Sequence, residues 1–215
     1  MSIARIAYYF DVEGFRSTIK LFLEEMNNGN FANLRKLATE IGKNNQHGWQ
    51  ILEHFHYTQD DLEQVDTEFD TLENRVGFWI DIIMAKYCIS DVRNPIDART
   101  MALALQQIGV ESELMLQVEY GRPFGSLLLH KIDYDAILNR EYSNWPFWCK
   151  QYGVLGWLNW SDCARLLEII KTKSKASEPF FIEQSNNIIP ILSNIKQMFN
   201  TAVDLKMGLL LGVSD

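Results

Sequence analysis

The sequence predicts an α+β fold. It is predominantly helical, with a small mixed or antiparallel sheet that includes the N- and C-terminal strands. Three observations carry this. Residues 3–10 and 207–213 are short, apolar and rich in Ile, Tyr and Leu, as strands are. Between them, apolar residues recur mostly at helical spacing. Apolar residues form 47% of the 215-residue chain, enough for one large core. A single domain over 1–215 follows. A subdivision, if there is one, falls at 91–95, between a helical half (1–92) and a mixed half (93–215).

After the first strand, residues 15–26 read as a helix with Ile19, Phe22, Leu23 and Met26 in register, ended by Asn27-Asn28-Gly29-Asn30. Residues 31–41 form a second, with Leu34, Leu37, Ala38 and Ile41 on one face and Gly42 as its C-terminal cap. The next segment, 46–56, holds three of the four histidines, His47, His54 and His56. On a helix His47 and His54 would lie about 10 Å apart. There is no His pair four residues apart and no H-E-x-x-H. No metal site is expected.

Thr58 and Asp61 resemble a capping box, with Asp in place of the usual Glu or Gln. A long helix is expected from there to about residue 88. Its stripe is Leu62, Val65, Phe69, Leu72, Val76, Trp79, Ile83 and Tyr87, broadened by Phe78, Ile80, Ile82 and Met84. The second half should therefore be buried on several sides. Such a stripe also permits a homodimer.

The charge on this segment is unusual. Glu53, Asp60, Asp61, Glu63, Asp66, Glu68, Asp70 and Glu73 lie between Lys43 and Arg75 with no Lys or Arg among them. The chain's net charge is −8, so the remaining residues sum to zero. Acids favour a helix N-terminus, which explains the first turn but not the continuation to Glu73. An ordinary solvated face is one reading. The other is a docking face for a basic protein partner, formed by Asp60, Asp61, Glu63, Asp66, Glu68, Asp70 and Glu73 with His54 and His56 at its rim.

Pro95 opens a helix over 96–108, with Ala98, Met101, Ala102, Leu105 and Ile108 inward and Gly109 closing it. Residues 114–120 and 126–132 read as strands around a turn-rich loop. Residues 136–141 read as a helix capped by Asp133 or Asp135. A helix over 163–173 is capped by Ser161 or Asp162, and 174–178 forms a polar loop. The last helix spans 188–203, with Leu192, Ile195, Met198, Phe199 and Ala202 inward. The terminal strand is expected centrally in the sheet, beside the first.

The stretch 142–160 holds four of the six tryptophans. Pro146, Gly153 and Gly156 prevent one continuous helix. Each large aromatic side chain buries about 150–250 Å². Such clusters are usually core, and an irregular aromatic latch is the first reading. A ligand pocket lined by Trp145, Trp148, Trp157 and Trp160, with Asp81, His130 and Cys149 as its polar groups, is the alternative.

Catalytic and cofactor motifs are missing. There is no G-x-S-x-G, no G-x-x-x-x-G-K-[ST] and no G-x-G-x-x-G. Cys149 with His130 and Asp133 could form a nucleophile, base and orienting group on paper, but its neighbours Phe147 and Trp148 suggest a buried thiol. Asp81, inside FWIDIIM, would need a partner such as Arg99 or His130 if buried. No cofactor and no catalytic residue is assigned. Net negative charge argues against nucleic acid. Cys88, Cys149 and Cys163, odd in number and widely spaced, fit a reducing compartment. No apolar run approaches the roughly 18 residues of a membrane span. No secretory leader is evident either. A cytoplasmic protein with no membrane association is expected.

The C-terminal half has an A-x-x-L-x-x-x-G helix end (Ala102, Leu105, Gly109) and an I-D element (Ile132, Asp133). G-W-L-x-x-x-D follows with its helix (Gly156, Trp157, Leu158, Asp162, Leu166), then a helix with a late alanine (Ala202) and an apolar strand from Gly208 to Val213. Over 96–215 this is similar to a family of uncharacterised bacterial cytoplasmic proteins known only as a domain of unknown function. The resemblance brings no catalytic residues. Proteins of this kind resemble bacterial toxin-neutralising immunity proteins in size and cytoplasmic character. The reading that results is a non-enzymatic bacterial interaction protein of immunity or antitoxin type. The alternative is a small-ligand-binding protein or enzyme built on the tryptophan cluster.

Overall fold

A computed structural model of the protein describes residues 4–28, 30–44, 82–91, 96–123, 156–177 and 188–214. In chain order the elements are β1 (Ala4–Phe10), α1 (Val12–Asn27), α2 (Ala32–Asn44), β2 (Cys88–Asp91) and β3 (Ile96–Asp97). Then come α3 (Ala98–Gln107), α4 (Ser112–Tyr120), β4 (Arg122–Pro123), β5 (Gly156–Leu158), α5 (Trp160–Ser177), α6 (Ile188–Asp204) and β6 (Gly208–Ser214). Residues 82–87 are helical as well. The fold is α+β and mostly helical, with a small antiparallel sheet that includes the first and last strands.

The chain divides into two compact units. One comprises Met1–Phe10, Asp91–Phe124 and Leu155–Asp215, and the other Asp11–Ser90 and Gly125–Val154.

In the first unit β6 lies between β1 and β5, as its unbroken apolar run implies. It pairs antiparallel with β1 from Ala4↔Ser214 to Phe10↔Gly208. β4 adds to β5, and β3 pairs with the start of β1. Successive strand residues point to opposite faces. Tyr9 opposite Leu209 and Ala7 opposite Leu211 therefore share one face, and all four join the main core. Tyr8, Phe10, Leu210 and Trp157 alternate with them and are buried too.

The helices supply the rest of that core. Met101, Ala104, Leu105 and Ile108 come from α3 and its end, and Val118 from α4. Cys163, Leu166, Leu167 and Ile170 come from α5. The inward face of α6 is Leu192, Ile195, Met198, Phe199 and Ala202, the five residues its spacing selects. Gly109, at φ +72°, closes α3.

In the second unit Leu34, Leu37, Ala38 and Ile41 of α2 are buried as the pattern requires. Ile82, Ile83, Met84 and Ala85 are all buried, so this helical stretch is covered on more than one side. Its end is fastened to the start of α1. Tyr87 accepts the Asp11 amide at 2.9 Å, its ring meets Phe15 edge-on at 6.3 Å, and its hydroxyl pairs with Thr18.

Several local expectations are corrected. Helix α1 starts at Val12 rather than 15, because Asp11 Oδ1 accepts the Gly14 amide at 2.8 Å and caps it. Gly42 lies inside α2 and does not end it. Residues 96–97 are a strand, and α3 begins only at Ala98. Residues 114–120 belong to a helix, α4, and not to a strand. Leu, Met, Gln and Glu are strong helix formers, and Val118 follows Leu114 by one turn toward the core. Residues 174–177 continue α5, where a polar loop is expected from composition.

Candidate functional site

The described part of the tryptophan stretch is its end, 156–160, and there the chain builds a polar cluster on an aromatic base. Trp157 stands on β5 opposite Arg122 of β4 and is 1% exposed. The Arg122 guanidinium lies over its ring, 5.3 Å from the centroid. The same guanidinium donates from Nε to Asp162 Oδ2 at 2.8 Å and from Nη2 to Asp162 Oδ1 at 3.0 Å. This is the forked geometry that arginine and carboxylate favour. The Asp162 carboxylate holds the guanidinium above its ordinary pKa, against a smaller opposing effect of burial.

Asp162 is placed by the start of α5. Asn159 Oδ1 accepts the Asp162 amide at 2.8 Å and the Ser161 hydroxyl at 2.9 Å. Asp162 Oδ2 in turn accepts the Asn159 amide at 3.3 Å. The two residues form a reciprocal capping box. The cap is therefore Asn159, three residues N-terminal to one expected cap and two to the other. One turn further on, Arg165 pairs with Gln117 of α4.

Gly121 makes the approach of β4 possible. It holds φ +63° and ψ −153°, a region essentially reserved for glycine. A Cβ there would meet the Trp157 carbonyl oxygen at 2.7 Å and Leu211 Cδ1 at 3.1 Å.

Trp160, the first residue of α5, is 46% exposed, and its indole Nε1 donates to the Val203 carbonyl at 3.1 Å. Trp157 and Trp160 thus have different polar partners. Trp145, Trp148, Cys149, His130 and Asp81, the other members of the pocket alternative, lie outside the described residues. So do Asp60, Asp61, Glu63, Asp66, Glu68, Asp70, Glu73, His54 and His56 of the acidic face.

A guanidinium that stays protonated, paired to a carboxylate and stacked on an indole, fixes geometry. It lends neither a proton nor a nucleophile to a reaction. Cys163, in the same helix, is fully buried, and burial pushes its thiol up to about 12, with the nearby Asp162 charge acting in the same direction. Burial raises Cys88 as well. Both thiols are free and are kept protonated at neutral pH. Among the described residues no group of three or more His, Cys, Asp or Glu side chains converges in a way that could hold a metal ion. Among them, no helix is long and apolar enough to cross a membrane.

Sequence reasoning missed Arg122 and Asn159. Asn159-x-x-Asp162 carries a readable capping signal, whereas nothing local marks Arg122 as the partner of a residue 40 positions away. Comparison with protein-family models, curated proteins and solved structures finds no match to this chain.

Proposed function

We propose that this is a non-enzymatic bacterial interaction protein that binds a basic protein partner through Asp60, Asp61, Glu63, Asp66, Glu68, Asp70 and Glu73, with His54 and His56 at the rim. One observation carries the reading. All of the net charge of −8 is matched by a single stretch between Lys43 and Arg75 that contains no Lys or Arg. Charge gathered in this way steers a complementary partner and raises the association rate, an effect that salt removes. The form we give the reading is an immunity or antitoxin-like role in the cytoplasm, in which a small acidic protein covers a basic toxin. That residues 96–215 belong with the uncharacterised bacterial domain family they resemble is part of the same proposal.

The test is affinity purification of the full-length tagged chain from its host, at low and at high salt. A stoichiometric basic partner, lost at high salt and lost again on Asp66→Lys with Asp70→Lys, is the expected result. A partner retained by the charge-reversed chain, or no partner at either salt, overturns the reading.

A further inference from the structure

We draw no further inference here: the strongest candidate, the exposed apolar surface of Trp160 and Leu205 where the start of α5 meets the end of α6, is an unpartnered apolar face, and nothing in the structure shows what covers it.

Discussion

Asp162 binds Arg122 and caps its own helix with the same carboxylate oxygen: Oδ2 accepts from Arg122 Nε at 2.8 Å and from the Asn159 amide at 3.3 Å. The two jobs separate by mutation. The Arg122 side chain is 50% exposed, so solvent screens the pair, and Arg122→Ala should cost only about 1 kcal/mol with the stacking on Trp157 included. Asp162→Ala loses the cap as well and should cost about 2 kcal/mol. Asp162→Asn keeps an acceptor for the Asn159 amide and should fall between. In a double-mutant cycle read by urea unfolding, the coupling of Arg122 to Asp162 should be about 0.5–1 kcal/mol and should shrink in about 1 M salt. Equal losses from Arg122→Ala and Asp162→Ala would remove the dual role.

Backbone conformation makes two opposite predictions. Gly121→Ala forces a Cβ against the Trp157 carbonyl oxygen in a backbone region that side chains avoid. The loss should be about 3 kcal/mol or more, because strain and overpacking add. Gly109→Ala is the control. Its φ is also positive, but nothing lies within 4 Å of the added Cβ, so about 1 kcal/mol is expected. Lys206 is the reverse case. It sits at φ +54° just after α6, where the amides of Lys206 and Met207 return to the carbonyls of Val203 and Ala202. Helices commonly place glycine there. Lys206→Gly should therefore raise the unfolding midpoint, by about 0.5–1 kcal/mol in stability. A lower midpoint for Lys206→Gly, or equal losses at Gly121 and Gly109, would contradict this account.

What the sequence revealed of this fold follows the range of the forces involved. The terminal strands were legible because a short, fully apolar run such as Leu209, Leu210 and Leu211 must be covered on both faces, which places it inside a sheet. The face of α6 was legible because Leu192 to Ala202 keeps one helical period without interruption. In α4 the run Leu114-Met115-Leu116 fits a strand or a helix equally, and packing of Val118 decides. The start of α5 was misplaced because Ser161 and Asp162 are good caps in isolation, while Asn159 satisfies the amide in the folded chain. Of the polar cluster, Trp157 and Asp162 stood out by residue type, whereas Arg122 and Asn159 did not. Arg122 meets Asp162 because β4 pairs with β5, a consequence of sheet topology that no local pattern encodes.

Thiol chemistry gives a prediction with a definite sign. The Cys163 thiol starts from an ordinary value of 9.0 and is pushed up to about 12 by burial. The folded state therefore keeps its proton at a pH where the unfolded chain loses it. Its contribution to stability is complete below pH 9 and is lost as pH rises toward about 12, since there the unfolded state binds fewer protons. In a Cys149→Ser background, Cys88 and Cys163 should stay unlabelled by a disulfide reagent at pH 8 until urea unfolds the chain. Rapid labelling of the native protein would show that the thiols are reachable.

The acidic stretch should trade stability for association. Asp66 and Asp70 are four residues apart, and Glu63, Asp66, Asp70 and Glu73 keep helical spacing. On the helix that the sequence predicts here, like charges so placed would cost about 0.2–0.5 kcal/mol per pair. If the stretch were only a solvated face, such crowding would serve solubility alone. Asp66→Asn with Asp70→Asn removes the repulsion without adding new charge. The melting temperature at low salt should therefore stay level or rise, and moderate salt should raise that of the wild type. Binding should respond in the opposite sense. Under the docking role proposed above, the association rate with a basic protein partner should fall several-fold at low salt, and the difference between variant and wild type should vanish at high salt, where steering is screened. Stopped-flow association across a salt series measures this directly. An unchanged rate with a raised melting temperature would leave the acids as a surface feature without a binding role.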